Sequence, residues 1–325
     1  MKTLIVILTD YSYPFLEDML ADVESSGIGI IPAVVVNAGT ADEAVLRSDD
    51  GGKKLYPLEH VDEETGKDAY IITDCRAGTV YASANGIGYV YYEPGDDYPD
   101  ANETGMPETG TSETVKSETV RSETGTEVAK PQCIIRGFDE IGADFLIKMY
   151  ERFHHIPWTI LKTERLVLRE MTVDDVDRLY EIYKDPSITR YMEPLYPERL
   201  QEIGYTRDYI RYQYEFCGYG LWIVTLVDNS LVIGRVGITN REGYEEAELG
   251  YMIAAGMQRQ GYATEACRAV IGYAGDILMM KGLNCFIQPG NDVSVHLCEQ
   301  LGFTFLEDVI LNGIDMMRYH IDLNW

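Results

Sequence analysis

The sequence predicts an α/β protein of two units. The N-terminal unit is a small parallel, Rossmann-like sheet, and the C-terminal unit is an α+β fold with a mostly antiparallel sheet. Three observations support this. The chain has 325 residues, more than one ordinary compact domain. Before residue 94 strand-like and helix-like runs alternate, whereas after residue 163 a strand and two helices lead into consecutive strands. We predict domains at 1–158 and 159–325.

The N-terminal elements follow a strand–helix–strand order. The chain opens on an apolar run, Thr3 to Thr9, which ends at Asp10 and predicts a buried strand. Further strands are predicted at 30–36, 69–73, 88–92 and 133–136, and helices at 15–24, 40–47, 79–85 and 143–154. Neither end carries a bilayer-spanning run or a signal-peptide cleavage site. We therefore expect a cytoplasmic protein without a membrane partner.

A low-complexity segment interrupts this unit at about residues 94–130. Within it the dipeptide Glu-Thr recurs every five residues, at positions 103, 108, 113, 118 and 123. A five-residue period fits neither a helix nor a strand, and the segment has almost no large apolar side chain. Such a segment is not expected to offset its ordering entropy by burial, so we predict a disordered or loosely ordered insertion.

The charge and the cysteine spacing exclude several partners. A formal net charge of −27 argues against nucleic acid, because phosphate binding needs a basic face. The same charge would steer a cationic substrate towards the surface, but general solubility is the preferred explanation of it. The six cysteines show no CxxC spacing and the five histidines form no zinc-type pair, so reduced thiols and no metal site are expected.

Two acids at predicted strand ends give the N-terminal unit a partial resemblance to haloacid dehalogenase-like phosphatases. Asp10 follows the first strand and Asp74 follows Ile71-Ile72-Thr73. The second carboxylate that this family places two residues after the first is absent, because Ser12 stands there. The resemblance therefore implies a degenerate, non-catalytic scaffold. For Asp74 we favour capping of the following helix.

The C-terminal unit is predicted from a different pattern. Arg165 to Arg169 alternates as a strand, and Thr172 with Asp174 and Asp175 starts a helix. A helix at 198–216 and strands at 221–227, 231–239 and 246–253 follow, with a hairpin turn at 228–230. A glycine-containing turn then opens a helix that runs to about Met280. Such a turn presents free N–H groups and a positive helix dipole, which suit a pyrophosphate.

This turn and its flanks resemble the GNAT superfamily of N-acetyltransferases. Gln258-x-x-Gly261-x-Ala263 matches the family signature Q/R-x-x-G-x-G/A. Glu248-Leu249-Gly250-Tyr251, Asn291-Asp292-Val293-Ser294 and Glu299-Gln300-Leu301-Gly302-Phe303 resemble elements of its ribosomal-protein N-acetyltransferase branch, with Gln300 in place of a basic residue. The resemblance covers residues 160–325 and implies a GNAT α+β fold with a splayed central sheet.

The resemblance implies acetyl-CoA as cofactor and places its binding site. The strands Leu249 to Ile253 and Cys285 to Gln288 are expected to splay apart and admit the pantetheine arm. The expected cofactor-binding residues are Met252 and Ile253 by their backbone, Gln258 in the signature, Asn291, and the amides of Arg259, Gln260, Gly261, Tyr262, Ala263 and Thr264. An exposed N–H near Met252 and Ile253 is expected to polarise the thioester carbonyl.

Glu248 is the candidate general base. An amine is mostly protonated at neutral pH, so its attack needs a proton acceptor. Glu246 lies two residues away on the same strand face and is the alternate, and both acids can instead pair with a base such as Arg241. Ser294 is the candidate that orients the leaving thiolate, or it caps the helix after Asn291. Other donors considered are Tyr251, Tyr262, Tyr319 and His296.

The sequence therefore predicts an acetyl-CoA-dependent N-acetyltransferase that acts by direct transfer in a ternary complex. The resemblance favours a protein N-terminal amine as acceptor, whereas the acidic composition equally fits a polyamine or an aminoglycoside-like amine. The alternative is a non-catalytic acyl-CoA-binding regulator with the N-terminal sheet as its output module. The oligomeric state is not predicted.

Overall fold

A computed structural model describes residues 1–8, 13–34, 67–93, 119–121, 127–139 and 141–323. These residues divide into two compact units, Met1–Ile156 and Pro157–Trp325. The division falls two residues before the boundary proposed from the sequence, at residue 156 and not 158. Across the described ranges, no helix combines the length and the apolar character needed to span a membrane.

The N-terminal unit is built on a five-stranded parallel sheet, as its strand–helix–strand order predicts. Its strands are β1 (Thr3–Leu8), β2 (Gly29–Val34), β3 (Ala69–Thr73), β4 (Tyr89–Tyr92) and β7 (Cys133–Ile135). They lie in the order β2-β1-β3-β4-β7. The strand order changes direction between the neighbouring strands β1 and β3. Open α/β sheets commonly bind ligands at such a position.

Within the described residues, three helices cover both faces of this sheet. They are α1 (Leu16–Ser25), α2 (Arg76–Asn85) and α3 (Ala143–Phe153). Apolar residues of α1 and α3 share one core with Leu4, Val6 and Leu8, and Ala82 of α2 shares a second core with Ile5 and Ile7. Because β1 is covered on both sides, its apolar run is continuous and not alternating.

The structure corrects one expectation in this unit and adds an antiparallel pair of strands. Cys75 occupies the position before α2, so Asp74 is not the helix cap; its Oδ2 accepts a hydrogen bond from Tyr13 at 2.8 Å. Within the segment predicted to be disordered, β5 (Thr119–Arg121) and β6 (Glu127–Ala129) form an antiparallel pair. The predicted helix at 40–47 and Asp10 lie outside the described residues.

The C-terminal unit contains an eight-stranded, mostly antiparallel sheet, as predicted. Its strands are β8 (Thr159–Lys162), β9 (Leu166–Arg169), β10 (Leu221–Leu226), β11 (Val232–Thr239), β12 (Glu248–Ile253), β13 (Gly282–Ile287), β14 (Thr304–Leu311) and β15 (Ile314–Asp322). Their order is β14-β15-β13-β12-β11-β10-β9-β8, and the neighbouring strands β12 and β13 are parallel.

Helices pack on both faces of this second sheet. They are α4 (Val176–Tyr183), α5 (Pro186–Thr189), α6 (Arg199–Tyr209), α7 (Glu215–Cys217), α8 (Tyr262–Asp276) and α9 (Asp292–Gln300). On one face Trp222 of β10 meets Tyr273 of α8 edge-on, with ring centroids 5.5 Å apart. On the other face Arg235 of β11 meets Tyr183 of α4. Side chains alternate along each strand, so one set of residues faces α8 and the other faces α4 to α7.

The helix predicted at 198–216 is interrupted by a π-helical turn at Ile210–Tyr214. The hydroxyl of Tyr209 accepts a hydrogen bond from the amide of Leu221 at 2.7 Å, and the hydroxyl of Tyr214 donates to the Leu221 carbonyl. Residues five apart face different sides of an α-helix, but the wider π turn brings them towards one side. The interruption therefore lets both tyrosines fix the start of β10.

Candidate active site

The loop between β12 and α8 presents a run of backbone amides without protein partners. Within the described ranges, the N–H groups of residues 259–264 donate to no protein acceptor, and the first bond of α8 runs from Glu265 N to Gly261 O. Gln258, Arg259, Gln260 and Gly261 are exposed. Consecutive free amides at the positive end of a helix dipole form an anion site.

Two left-handed residues give this loop its shape. Arg259 has φ 61° and Gly261 has φ 82°. A Cβ added to Gly261 would lie 3.3 Å from Nη2 of Arg165, so glycine suits this position both by conformation and by space. The sequence motif thus corresponds to a backbone turn that brings the amides together.

Glutamine side chains stabilise the same loop. Nε2 of Gln258 donates to the carbonyl of Ile253 at 2.9 Å, and Nε2 of Gln260 donates to Gly256 at 3.3 Å. The Gln258 side chain is thus bound to the end of β12. This bond fixes the direction in which the loop leaves the strand.

An anchor that sequence reasoning missed holds the start of α8. The Glu265 carboxylate accepts hydrogen bonds from Thr163 Oγ1 at 2.6 Å and from Nε of Arg165 at 2.6 Å. Burial raises the pKa of Glu265, but the bonds from Thr163 and Arg165 outweigh it, and the pKa lies below its usual value. Arg165 also donates to the Gln260 carbonyl at 3.0 Å and covers the Tyr262 ring. These residues are about 100 positions apart in sequence, so no local pattern signals the pairing.

An open cleft adjoins the loop and contains a second arginine. Thr163, Arg165, Gly261, Thr264 and Arg268 contribute to its wall. Arg268 is exposed and lies one helical turn after Thr264, and within the described part of the chain its side chain has no carboxylate partner. The wall also includes Glu164 and Glu265, and Glu265 pairs with Arg165. Arg268 therefore remains available to an anion in this cleft.

Strands β12 and β13 meet at one end and separate towards the loop. β12 pairs with β11 over its whole length, from Glu248↔Thr239 to Ile253↔Gly234, whereas its pairing with β13 is Glu248↔Asn284. At this closed end Asn284 N donates to Ala247 O at 2.8 Å. The thiol of Cys285 contacts the Leu249 carbonyl at 3.5 Å. From residue 250 onward, the edge of β12 that faces β13 is therefore not paired with it, and an extended ligand could bind along this edge.

The ladder geometry revises the prediction for Met252. Ala254 N donates to Ile233 O at 2.7 Å, which makes Gly234 and Ile253 a non-hydrogen-bonded pair. By the alternation of an antiparallel ladder, Arg235 and Met252 are then a hydrogen-bonded pair, and the Met252 backbone is engaged with β11. The backbone groups of Tyr251 and Ile253 face β13 instead.

Glu248 lies at the closed end of these strands in an ion pair. Its Oε2 accepts from Nε of Arg241 at 2.6 Å, and its side chain is 13% exposed. Burial raises the pKa of Glu248 above its usual value, and the charge of Arg241 opposes this without cancelling it. The pairing with Arg241 that the sequence left open is present.

A polar network surrounds Glu248 on the same sheet face. Asn284 is fully buried; its Nδ2 donates to Glu246 O at 3.0 Å, and its Oδ1 accepts from Nε of Arg318 at 2.9 Å. Glu246 itself precedes β12, and its carboxylate lies 3.6 Å from Arg318. The Arg241 guanidinium stacks on Phe286. Glu246 and Glu248 thus meet different arginines.

Asn291 and Ser294 lie at the start of α9, next to the open strand edge. Asn291 caps this helix, and its side chain accepts from Ser294 N at 3.4 Å, so the cap is Asn291 and not Ser294. The Ser294 carbonyl accepts a hydrogen bond from the Tyr251 hydroxyl at 3.2 Å. This hydrogen bond connects β12 to α9.

The remaining candidates lie apart from this arrangement. His296 is exposed on α9, and Tyr319 is buried in β15 against Phe305. The phosphate-type loop and Glu248 are at opposite ends of β12, about 17 Å apart at the usual rise of a strand. Among the described residues, no three His, Cys, Asp or Glu side chains are grouped so that they could hold a metal ion.

Comparison with known proteins gives a consistent result. A family model described as an acetyltransferase (GNAT) domain matches residues 165–304. The chain is 30% identical over 149 residues to an uncharacterised N-acetyltransferase, p20, of Bacillus licheniformis, which covers 44% of this chain and 81% of that protein. It is 30% identical over 157 residues to the uncharacterised protein YkkB of Bacillus subtilis, covering 46% and 88% respectively.

Among solved structures, an acetyltransferase from Agrobacterium tumefaciens is similar at 26% identity and a TM-score of 0.44, covering 50% of this chain and 95% of that one. The family match begins at residue 165, so it lends no support to the haloacid dehalogenase-like resemblance of the N-terminal unit.

Proposed function

The chain belongs to the GNAT acetyltransferase family, and on this premise we propose that it moves an acetyl group to a primary amine by direct transfer in a ternary complex. Membership makes it an acyltransferase that uses acetyl-CoA. The observation that carries the proposal is the run of free amides at 259–264 beside a strand edge that β13 leaves open. We also propose that the chain belongs to the ribosomal-protein N-acetyltransferase branch and that its acceptor is a primary amine.

The residues of the loop and of β12 fit this cofactor. The amides of 259–264 are proposed to hold its pyrophosphate, and Gln258 and Gly261 shape the loop that aims them. Tyr251 and Ile253 offer backbone N–H and C=O groups for the pantetheine amides. When bound, acetyl-CoA would supply the acyl thioester that the amine attacks.

Glu248 is proposed to accept the proton of the attacking amine. Its pKa is raised by burial, which makes it a stronger base than an exposed carboxylate, and Arg241 orients its Oε2. Asn291 and Ser294 are proposed to position α9 at the thiol end, with the Tyr251 hydroxyl held on the Ser294 carbonyl. Holding amine and thioester together supplies much of the rate.

The test is the Glu248→Gln variant, assayed for release of free thiol across a panel of amines and for acetyl-CoA affinity by calorimetry. We expect turnover to fall by about a hundredfold or more, as for loss of a general base, with affinity unchanged. Glu242→Gln, at an exposed position nearby, is the matched control and should behave as the wild type. Unchanged turnover in Glu248→Gln would remove the assignment.

The Glu248–Arg241 ion pair also favours a second candidate, an acyl-CoA-binding regulator without transfer activity. In that case the carboxylate serves only to join β12 to the Arg241 segment. The same panel separates the two functions. Acetyl-CoA binding without thiol release, for peptide N-terminal amines, polyamines and aminoglycosides alike, would support the regulator.

A further inference from the structure

Arg235 stands on the central strand β11, beside the stretch of β12 whose other edge β13 leaves open. It pairs with Met252 of β12 on one side and with Ile223 of β10 on the other. Its neighbours Gly234 and Val236 are fully buried on the opposite face, so Arg235 shares the face of Glu248. Adjacent strands lie about 4.8 Å apart, which puts this side chain within reach of a small acceptor bound over β12.

The Arg235 guanidinium has no carboxylate partner among the described residues. One Nη donates to the Tyr183 hydroxyl, the guanidinium lies 5.5 Å from the Tyr183 ring, and its Nε is buried without a hydrogen-bond partner. Six other arginines of this unit are in carboxylate ion pairs: Arg165, Arg169, Arg178, Arg199, Arg241 and Arg318. Among the described residues of this unit, the other arginines without such a pair are exposed, whereas the Nε of Arg235 is buried.

Phenol groups lie close to this guanidinium: Tyr183 by a hydrogen bond, with Tyr209 and Tyr214 near enough to raise its pKa. Burial raises the pKa of Tyr205, and the charge of Arg235 opposes that rise. Tyr205 is 45% exposed, and within the described ranges its hydroxyl has no hydrogen-bond partner. The buried carboxylate on the same helix, Glu202, accepts from the amide of Tyr196 at 2.9 Å. Glu202 therefore already has a hydrogen-bond partner, whereas the Nε of Arg235 is still available to an anion.

We propose that Arg235 binds a carboxylate of the acceptor, so that the acceptor is an amine that also carries a carboxylate. A partly buried guanidinium with an unsatisfied Nε favours a counter-anion, and a carboxylate accepts its paired N–H donors with matching geometry. This inference rests on the proposed acetyl transfer. It favours a zwitterionic acceptor, such as an amino acid or a short peptide, over the polycationic amines that net charge alone suggests.

The test compares carboxylate-bearing acceptors with carboxylate-free counterparts on the full-length protein. The panel pairs amino acids and dipeptides with their C-terminal amides and with the corresponding decarboxylated amines, and kcat/KM is measured by thiol release. For the wild type we expect the carboxylate member to be preferred by about tenfold or more, as for a hydrogen bond to a charged group. Arg235→Met should abolish this preference and leave acetyl-CoA affinity unchanged, and Arg235→Lys should retain part of it.

Arg199→Met is the control, because Arg199 pairs with Asp177 on the helical surface and should leave the preference intact. Acetyl-CoA affinity also reports whether each variant is folded. Equal kcat/KM for both members of each pair, or an unchanged preference in Arg235→Met, would overturn the inference. Transfer to amides and simple amines in that case would still support the proposed acetyl transfer. Failure to bind acetyl-CoA, or to acetylate any member, would instead remove the proposed function and with it this inference.

Discussion

The Glu248 carboxylate experiences two opposing influences, and their balance determines the pH dependence of the proposed reaction. Burial raises its pKa and Arg241 lowers it, with burial prevailing. A general base works in its ionised form, so activity is lost as the pH falls through this pKa. Removing Arg241 removes the influence that favours the ionised form, and the pKa should rise further.

We therefore predict that Arg241→Met moves the acidic limb of the kcat/KM profile to higher pH. The measurement is kcat/KM against pH with one acceptor at saturating acetyl-CoA. Glu248→Gln serves as a reference, because it should lose the limb altogether along with most of the rate. A limb that stays in place in Arg241→Met would show that another group controls it.

Arg268 is the exposed cation in the cleft beside the loop, and coenzyme A carries a 3′-phosphate beyond its pyrophosphate. We predict that Arg268→Ala weakens acetyl-CoA binding about fivefold, the scale of an exposed ion pair. The affinity for acetyl-3′-dephospho-CoA, which lacks that phosphate, should not change. Calorimetry on both ligands checks this, with Arg211→Ala as an exposed arginine away from the cleft. Equal losses for both ligands would assign Arg268 to the pyrophosphate.

The sequence predicts residues whose role is local and misses those whose role depends on packing. The sequence predicts the turn and the helix start at residues 258–263, because both lie within one motif. Cofactor binding by this segment stays a prediction. Arg165 and Asn284 were missed because their partners are distant in sequence. Met252 was assigned to the open edge, since a motif gives strand position but not which backbone groups the neighbouring strand occupies.

At the scale of an element, the loop before α8 depends on one backbone conformation. Gly261 has φ 82°, and the space for a Cβ there is limited by Arg165. We predict that Gly261→Ala lowers the free energy of unfolding by about 1 kcal/mol, the cost of the left-handed region for alanine. It should weaken acetyl-CoA binding by more than this strain alone, because the amide directions change.

Two control variants separate the conformational cost of Gly261→Ala from its effect on acetyl-CoA binding. Gly313→Ala tests the conformational cost alone, since it has φ 79° and open space around it in the β14–β15 hairpin. Gly256→Ala tests a side chain in the same loop, because nothing lies within 4 Å and its φ is ordinary. Chemical unfolding and calorimetry provide the two measurements. If Gly313→Ala weakens binding as much as Gly261→Ala does, the loop geometry is not responsible.

Periodicity predicted the elements more reliably than their ends. The antiparallel strands from β10 to β12 follow from alternation and turns, whereas the π-helical turn at 210–214 depends on two tyrosines meeting Leu221. In the same way Asn291 and Ser294 were both placed at the start of α9, but which of them caps it depends on the backbone at that residue. Ends are decided by contacts with other elements, which no local pattern contains.

At the scale of the whole molecule, each unit has an apolar core drawn from its own residues. The core of the C-terminal unit runs from Leu166 to Leu323, and the two cores of the N-terminal unit lie between Leu4 and Tyr150. All residues assigned to the cofactor and to proton transfer also lie between 248 and 294. A unit that buries its own core carries most of its own folding free energy.

We therefore predict that residues 157–325, produced alone, fold cooperatively and bind acetyl-CoA with the affinity of the full chain. The reason is that the free amides, the open edge of β12 and the anchor of Arg165 on Glu265 are all contained in this segment. Thermal unfolding with and without acetyl-CoA checks the prediction, because a ligand that binds the folded state raises its midpoint. Residues 1–156 alone should show no such shift. A loss of binding in 157–325, with folding retained, would mean that the N-terminal unit contributes to the cofactor site.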